Sequence, residues 1–360
     1  MMKIITFILL IAMTMACQET SEYYTIEDYS RIKKVDTHIH TSADNGAFEE
    51  LAKRDNFQLV NIVVDTKDPQ FVLDQYASRT RLKTEYPDVY EFITSFSVET
   101  WDDEDFVEKT IAWLDEGFEA GAVGVKVWKN IGMEFRDKNG ELIFVDDPKL
   151  DPIFDHIEKR GKTLIGHLAE PKNCWLPLEE MIVNNDKDYF RDHQKYHMYL
   201  HPEMPSYEEQ IAARDRMLEK HPNLTFVGAH MGSLEHDVDE LAKRLDKFPN
   251  MAVDLAARIG QVFYQTIHDR EKVRDFFIKY QDRLLYATDI GYGGKQEAEA
   301  FQVFAHETWM LDWKFFVTDE WMTSDRVNEQ FQGLKLPKEV VDKIFYKNAI
   351  KWFKMFPGEE

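Results

Sequence analysis

The sequence predicts an α/β chain of the closed (β/α)8 TIM barrel class, with a long loop after the fifth strand and extra helices at the C-terminus. Three observations predict it. Short β-rich runs alternate with longer amphipathic segments, which argues for a parallel sheet built from βα units. There are eight such runs in about 260 residues, close to the roughly 250 that this barrel takes. Polar residues of metal-binding type stand at the C-terminal ends of several of them, the rim where chemistry sits in such barrels.

The expected strands lie at 32–38, 57–64, 90–96, 123–128, 163–167, 224–229, 251–255 and 283–288. Apolar periodicity and end signals place helices at 103–119, 148–159, 207–220 and 235–247. Segments 297–313 and 338–353 also read as helical and are expected to complete the outer ring. About 38 residues separate His167 from the helix at Tyr207, and they are rich in aromatic and polar groups. A connection of that length is a lid, a binding loop or a segment with structure of its own. No repeat, low-complexity segment or linker marks a boundary inside 31–356, so this region is read as one barrel.

Ahead of it, Met1, Met2 and Lys3 precede an apolar stretch over 4–16, too short for a bilayer span of about 20 residues. This order reads as a signal peptide over 1–16. The run Thr14-Met15-Ala16-Cys17 resembles the lipobox of bacterial lipoproteins, which implies acylation of Cys17, a tether over 17–30, and a lipid-anchored location on an exported face of the membrane. Cleavage after Ala16 to give a soluble secreted protein is the alternative. With Cys17 lipidated, Cys174 has no disulfide partner and is read as a small buried residue.

Lys and Arg number 44 against 66 Asp and Glu, a net charge of −22 that repels nucleic acid and anionic lipid alike. Membrane contact is therefore expected only through the lipid. Apolar residues at 44% suffice for a large core and speak against disorder. Monomer and homodimer both stay open.

The chemistry begins at Val35-Asp36-Thr37-His38-Ile39-His40, where strand alternation puts Asp36, His38 and His40 on one face and Val35, Thr37 and Ile39 on the other. Two imidazoles one pleat apart suit a shared divalent ion. His167 closes the fifth strand, His230 follows the sixth and Asp289 the eighth. Each alone is most simply a satisfied strand-end group, but their convergence on one rim points to a metal site. In Val123-Gly124-Val125-Lys126-Val127-Trp128 the valines are expected to face the covering helices, leaving Gly124, Lys126 and Trp128 to face the interior. Glu170, Arg258, Asn130 and Tyr292 are further pocket candidates. His197 and His201 are assigned to the packing of the long loop. Gly291-Tyr292-Gly293-Gly294-Lys295 lacks P-loop spacing, no GxSxG elbow occurs, and Met310 stands where a zincin helix starting at His306 would need histidine.

His-x-His after the first strand, His after the fifth and sixth, and Asp after the eighth resemble the amidohydrolase superfamily. The wording "HLAEP" around His167 and "ATDIG" around Asp289 is similar to its amidohydrolase-2 branch, which also contains decarboxylases and lactonases. The resemblance spans roughly 34–353. It implies His38, His40, His167 and Asp289 as metal ligands, His230 as a further ligand or acid/base group, and Asp289 as the catalytic base. It also implies an unmodified Lys126 facing substrate rather than a carboxylated one bridging two ions. One divalent ion is expected, Zn2+ first, with Mn2+ or Fe2+ as alternatives. Such an ion acidifies water and polarises a carbonyl, which suits hydrolysis of a small ester, lactone or amide. Lys126 and Arg258 are expected to hold a substrate anion, with Glu170, Trp128 and Tyr292 also lining the pocket. Non-oxidative decarboxylation of an unsaturated or aromatic acid is the alternative chemistry, and a non-catalytic surface binding lipoprotein the third reading.

Overall fold

The computed structural model describes residues 21–66 and 68–355. The signal segment and Cys17 lie outside the described residues. Nine parallel strands form one sheet: β1 (Lys34–Thr41), β2 (Phe57–Ile62), β3 (Tyr90–Ser95), β4 (Gly124–Val127), β5 (Thr163–Gly166), β6 (Phe226–Gly228), β7 (Met251–Asp254), β8 (Leu284–Leu285) and β9 (Ile290–Tyr292). Their order is β8-β7-β6-β5-β4-β3-β2-β1-β9. β8 and β9 are the two halves of the eighth strand, broken where Asp289 takes a positive φ of 67°. Along one edge of this strand the Leu255 and Ala257 amides donate to the carbonyls of Leu285 and Thr288 at 3.1 and 3.2 Å. Along the other, Thr37 N donates to Tyr286 O at 3.1 Å and Asp289 N to His38 O at 2.8 Å. These bonds close the sheet on itself as a TIM-barrel-like fold.

Both faces of the strands are covered, which is why they read as nearly continuous apolar runs. Val35, Val60, Ile62, Ile93, Ile165, Val227, Ala252 and Leu285, one or two from each of β1–β3 and β5–β8, form a single buried cluster inside the ring. Leu59, Phe92, Val125, Val127, Leu164, Phe226 and Val253 belong instead to the larger core beneath the outer helices. Val125 and Val127 thus face the helices, while Val123, just ahead of β4, joins the inner cluster.

The helix Tyr207–Lys220 has the expected bounds, fixed by a capping box between Ser206 and Glu209. Those at Phe106–Glu119, Asp151–Lys159 and Val238–Lys247 begin three residues later than expected. Asp237 accepts from Asp239 N and caps the last of them, so the residues before it are a turn. The helix Ala298–Val317 lies in the outer ring. The 338–353 segment does not complete that ring. It runs as Lys338–Asp342, a π-helical turn Lys343–Lys347 and Asn348–Phe353, and its Ala349, Trp352 and Phe353 close the N-terminal end of the barrel against the inner cluster. Asn348 Nδ2 donates there to Leu284 O at 2.8 Å.

Two segments are more ordered than a tether or an open loop. Residues 21–30, assigned from sequence to the tether, are seated on the barrel: Lys338 N donates to Glu22 O, Tyr24 Oη to Asp342, Trp313 Nε1 to Thr25 O and Tyr29 Oη to Asp55. Their tyrosines bury too much ring area for a solvated spacer. The long connection after β5 holds the helix Asn184–Asp192 and four 3-10 turns around a small core of Met133, Cys174, Met181, Phe190 and Met198. His197 is buried in it, its Nε2 2.8 Å from Leu176 O, and the half-buried His201 bonds Gln194 O, so both serve the connection itself. No helix among the described residues is long and apolar enough to cross a membrane.

Candidate metal centre

β1 does not alternate as its sequence suggests. Its register against β2 shifts between Asp36 and Ile39, so Val35 faces the inner cluster and Asp36 turns away from the cavity. Asp36 Oδ2 accepts from Trp309 Nε1 at 3.0 Å and Thr288 Oγ1 at 2.6 Å, clamping the eighth strand to the first. Beyond the irregularity, His38 and His40 both line the cavity.

Three further groups reach the same cavity from other strand ends. His167 follows β5 and His230 follows β6, with φ of 59° at His230 and 57° at Met231. Left-handed backbone on residues other than glycine is strained and clusters at functional sites. Here it is held by Asp254 at the end of β7, whose Oδ1 accepts from His230 N at 2.7 Å and from Ala256 N at 3.1 Å. Asp289 completes the group, its side chain 32% exposed to the cavity. Ligand atoms of His38, His230 and Asp289 lie within 4.8 Å of one another. His40 Nε2 is 3.2 Å and His38 Nε2 3.5 Å from Asp289 Oδ1, and the His167 ring centroid is 4.2 Å from that of His230.

The donor set fits a divalent cation. His38 Nδ1 is 2.9 Å from Asp254 Oδ2, His40 Nδ1 3.1 Å from Ile62 O and His230 Nδ1 3.0 Å from Ala256 O. Each of those partners can only accept, so each Nδ1 carries the proton and each Nε2 presents a lone pair. Two of these lone pairs face the Asp289 carboxylate at the distances above, an arrangement that calls for positive charge between them. His167 Nε2 is also buried, 3.5 Å from Glu170 Oε2 and outside hydrogen-bond geometry. Burial holds the His38, His167 and His230 imidazoles below their usual range, His167 at about 4, so they are neutral. Burial would raise the Asp289 carboxyl, but the groups around it, His40 first and then His230 and His38, outweigh this and hold it well below the carboxylate range.

Lys126 is fully buried in the cavity wall, its Nζ 3.5 Å from His38 Nε2. Burial pushes its ammonium down to about 8, against the pull of Asp254 and Asp289. Trp128 and Tyr292 line the cavity, which measures about 560 Å3, together with Phe71, Arg79, Lys129 and Tyr189. Asn130 does not reach it, because its Nδ2 is engaged by Asp65 at 2.9 Å.

Two further pocket candidates sit behind the wall instead. Glu170 is buried against the Lys129 ammonium, with His167 Nε2 at 3.5 Å. Burial raises its carboxyl, and the Lys129 charge outweighs that to leave it far below the ordinary range. Arg258 lies 3.9 Å from both Glu170 and Asp186, so its charge is already balanced, and it does not line the cavity. Asp254, Lys129 and Arg79 escaped the sequence reading. Asp254 carried the same strand-end signal that identified Asp289.

The amidohydrolase family profile matches residues 19–355. The chain belongs to the amidohydrolase family. Amidohydrolases of this family are enzymes that generally use a divalent metal. No curated protein matches the chain by sequence. Among solved structures, it is similar to a 2,6-dihydroxybenzoate decarboxylase from Rhizobium, at 14% identity and TM-score 0.52 over 90% of this chain and 99% of that one. It is also similar to a putative 2-pyrone-4,6-dicarboxylic acid hydrolase from Pseudomonas putida, at 12% identity and TM-score 0.47 over 90% and 98%. A zinc-bound amidohydrolase from Burkholderia multivorans aligns at 9% identity and TM-score 0.48 over 89% and 99%. At 14% identity the likeness to the Rhizobium enzyme shows the fold alone.

Proposed function

We propose that this amidohydrolase is a metal-dependent hydrolase of a small ester, lactone or amide, with one divalent ion, Zn2+ first and Mn2+ or Fe2+ as alternatives. The observation that carries the reading is the ionised Asp289 carboxylate, open to the cavity and ringed by the Nε2 lone pairs of neutral imidazoles. His38, His230 and Asp289 would hold the ion, joined by His40 and His167 from the same rim. When bound, it supplies Lewis acidity toward a carbonyl and toward water.

Asp289 then takes the proton of the attacking water and returns it to the leaving group. His230 is assigned as a ligand rather than a proton donor, because its only N–H in the neutral ring is committed to Ala256 O. Lys126 offers buried N–H groups to the developing oxyanion or to a substrate anion. Trp128, Tyr189 and Tyr292 give the cavity aromatic walls. Asp289→Asn should abolish turnover while the fold persists, and retained activity would refute this mechanism. Metal analysis of the purified protein, followed by a screen of lactones, esters, amides and carboxylic acids, tests the rest; two equivalents of metal per chain would overturn the single ion.

Decarboxylation of an unsaturated or aromatic acid is the second reading, favoured by the Lys126 ammonium, which has no carboxylate within 4.0 Å among the described residues. Release of CO2 without incorporation of water separates the two. The exported, lipid-anchored location rests on residues 1–17 alone, and the intact mass of the mature N-terminus in a bacterial host decides it.

A further inference from the structure

The helix Pro69–Glu85 follows β2, and its buried stripe is Val72, Gln75, Arg79 and Leu82. Two polar residues stand where such a stripe normally carries aliphatic ones. Gln75 is accounted for, since its amide accepts from Val64 N and donates to Val64 O. Arg79 is not. It is only 3% exposed, yet its Nε and Nη1 have no hydrogen-bond partner, and its one bond is a long contact from Nη2 to Ile62 O at 3.4 Å. Among the described residues no carboxylate comes within ion-pair distance of it. The other deeply buried arginines are balanced. Arg214 bonds Gly232 O and Asp215, and Arg258 is faced by Asp186 and Glu170.

A buried guanidinium without an anion is a costly arrangement that a fold has no reason to keep for its own stability. Arg79 lines the same cavity as the metal-site histidines. It also shares the Ile62 carbonyl with His40, whose Nδ1 is 3.1 Å from that oxygen. The missing partner therefore comes from within the cavity, beside the ligand cluster.

We propose that Arg79 is the carboxylate anchor of this site, so that the substrate is a small organic acid whose carboxylate pairs with the Arg79 guanidinium while its reacting group meets the metal ligands. This inference rests on the preceding section only for taking the cavity as the substrate site. It replaces Arg258, whose charge is spent on Asp186 and Glu170, in the role of anion holder. The planar guanidinium fork suits a carboxylate better than an ammonium does. The aromatic walls of Trp128, Tyr189 and Phe71 suit an unsaturated or aromatic body on that acid.

The test uses the full protein, titrated calorimetrically with benzoate and, as the uncharged shape-match, benzamide, in metal-loaded and metal-stripped forms. Benzoate should bind the wild-type protein and be preferred over benzamide by roughly tenfold or more, the range of a desolvated charge-assisted pair. Arg79→Met should erase that preference without lowering the melting temperature, because it removes an unpaired buried charge. Arg79→Lys should keep part of the preference and guards against a variant that fails to fold. Preference for benzoate that survives in folded Arg79→Met, or absence of any preference in the wild type, would overturn the proposal. Arg79-dependent benzoate binding in protein that never takes up stoichiometric metal would leave the anchor standing and refute the metal-centre reading instead.

Discussion

Replacing Glu235 by Gln should remove a pH dependence written into the second layer of the site. Glu235 is fully buried; its Oε1 accepts from Lys172 N at 2.9 Å, and its Oε2 has no partner. Burial, only partly opposed by Arg258, pushes its carboxyl from 4.5 up to about 7. The folded state thus holds this proton more tightly than the unfolded chain. Stability from this group is fully present below pH ~4.5, falls as pH rises through ~7 and is flat above, an effect of roughly 3 kcal/mol before relaxation reduces it. A Gln keeps the acceptor for Lys172 N and cannot ionise. The difference in unfolding free energy, Glu235→Gln minus wild type, should therefore rise by about 1–3 kcal/mol between pH 5 and pH 8. Urea denaturation followed by tryptophan fluorescence at the two pH values and constant ionic strength measures it. A difference unchanged between them to within about 0.5 kcal/mol would mean that Glu235 is ionised in the fold and paired with Arg258, refuting the argument.

Other consequences follow from the same geometry. Asp254→Asn sets an amide against the His38 Nδ1–H and the His230 backbone N–H, so metal affinity should drop about 10- to 100-fold while the circular dichroism spectrum is retained. Competition with a chromophoric chelator reads this, and unchanged affinity would count against Asp254 as the orienting group. Removing the ion from the native protein should lower its melting temperature by several degrees, since a ligand at 100 times its Kd contributes about 2.7 kcal/mol. A Cβ at Gly124 would sit 2.6 Å from Thr163 O, so Gly124→Ala should push β4 from β5 and destabilise by about 1–3 kcal/mol in urea melts. No loss there would contradict the β4–β5 register.

The strand ends were legible because a parallel barrel needs apolar runs and because residues that bind metal are few in kind. His38, His40, His167, His230 and Asp289 all stand at the cavity their positions suggested. Glu170 and Arg258 occupied equally suggestive positions, yet opposite charges nearby in space consume them, Lys129 for Glu170, and Asp186 with Glu170 for Arg258. Those partners come from distant parts of the chain, so no local pattern announces them. Arg79 is the converse case, a residue on an ordinary helix whose isolation appears only when every neighbouring segment is in place.

Local sequence by itself determined the period of each element, the polar residues at the strand ends and the family they resemble, because propensity, patterning and side-chain chemistry are properties of short stretches. Only the tertiary structure decided which faces survived the irregularity in β1, which charges were neutralised and which was left open. Those outcomes depend on through-space distances between residues as far apart as His38 and Asp254, or Asp36 and Trp309. Electrostatic balance in a buried site is a sum over neighbours in space, and adjacency in sequence does not supply it.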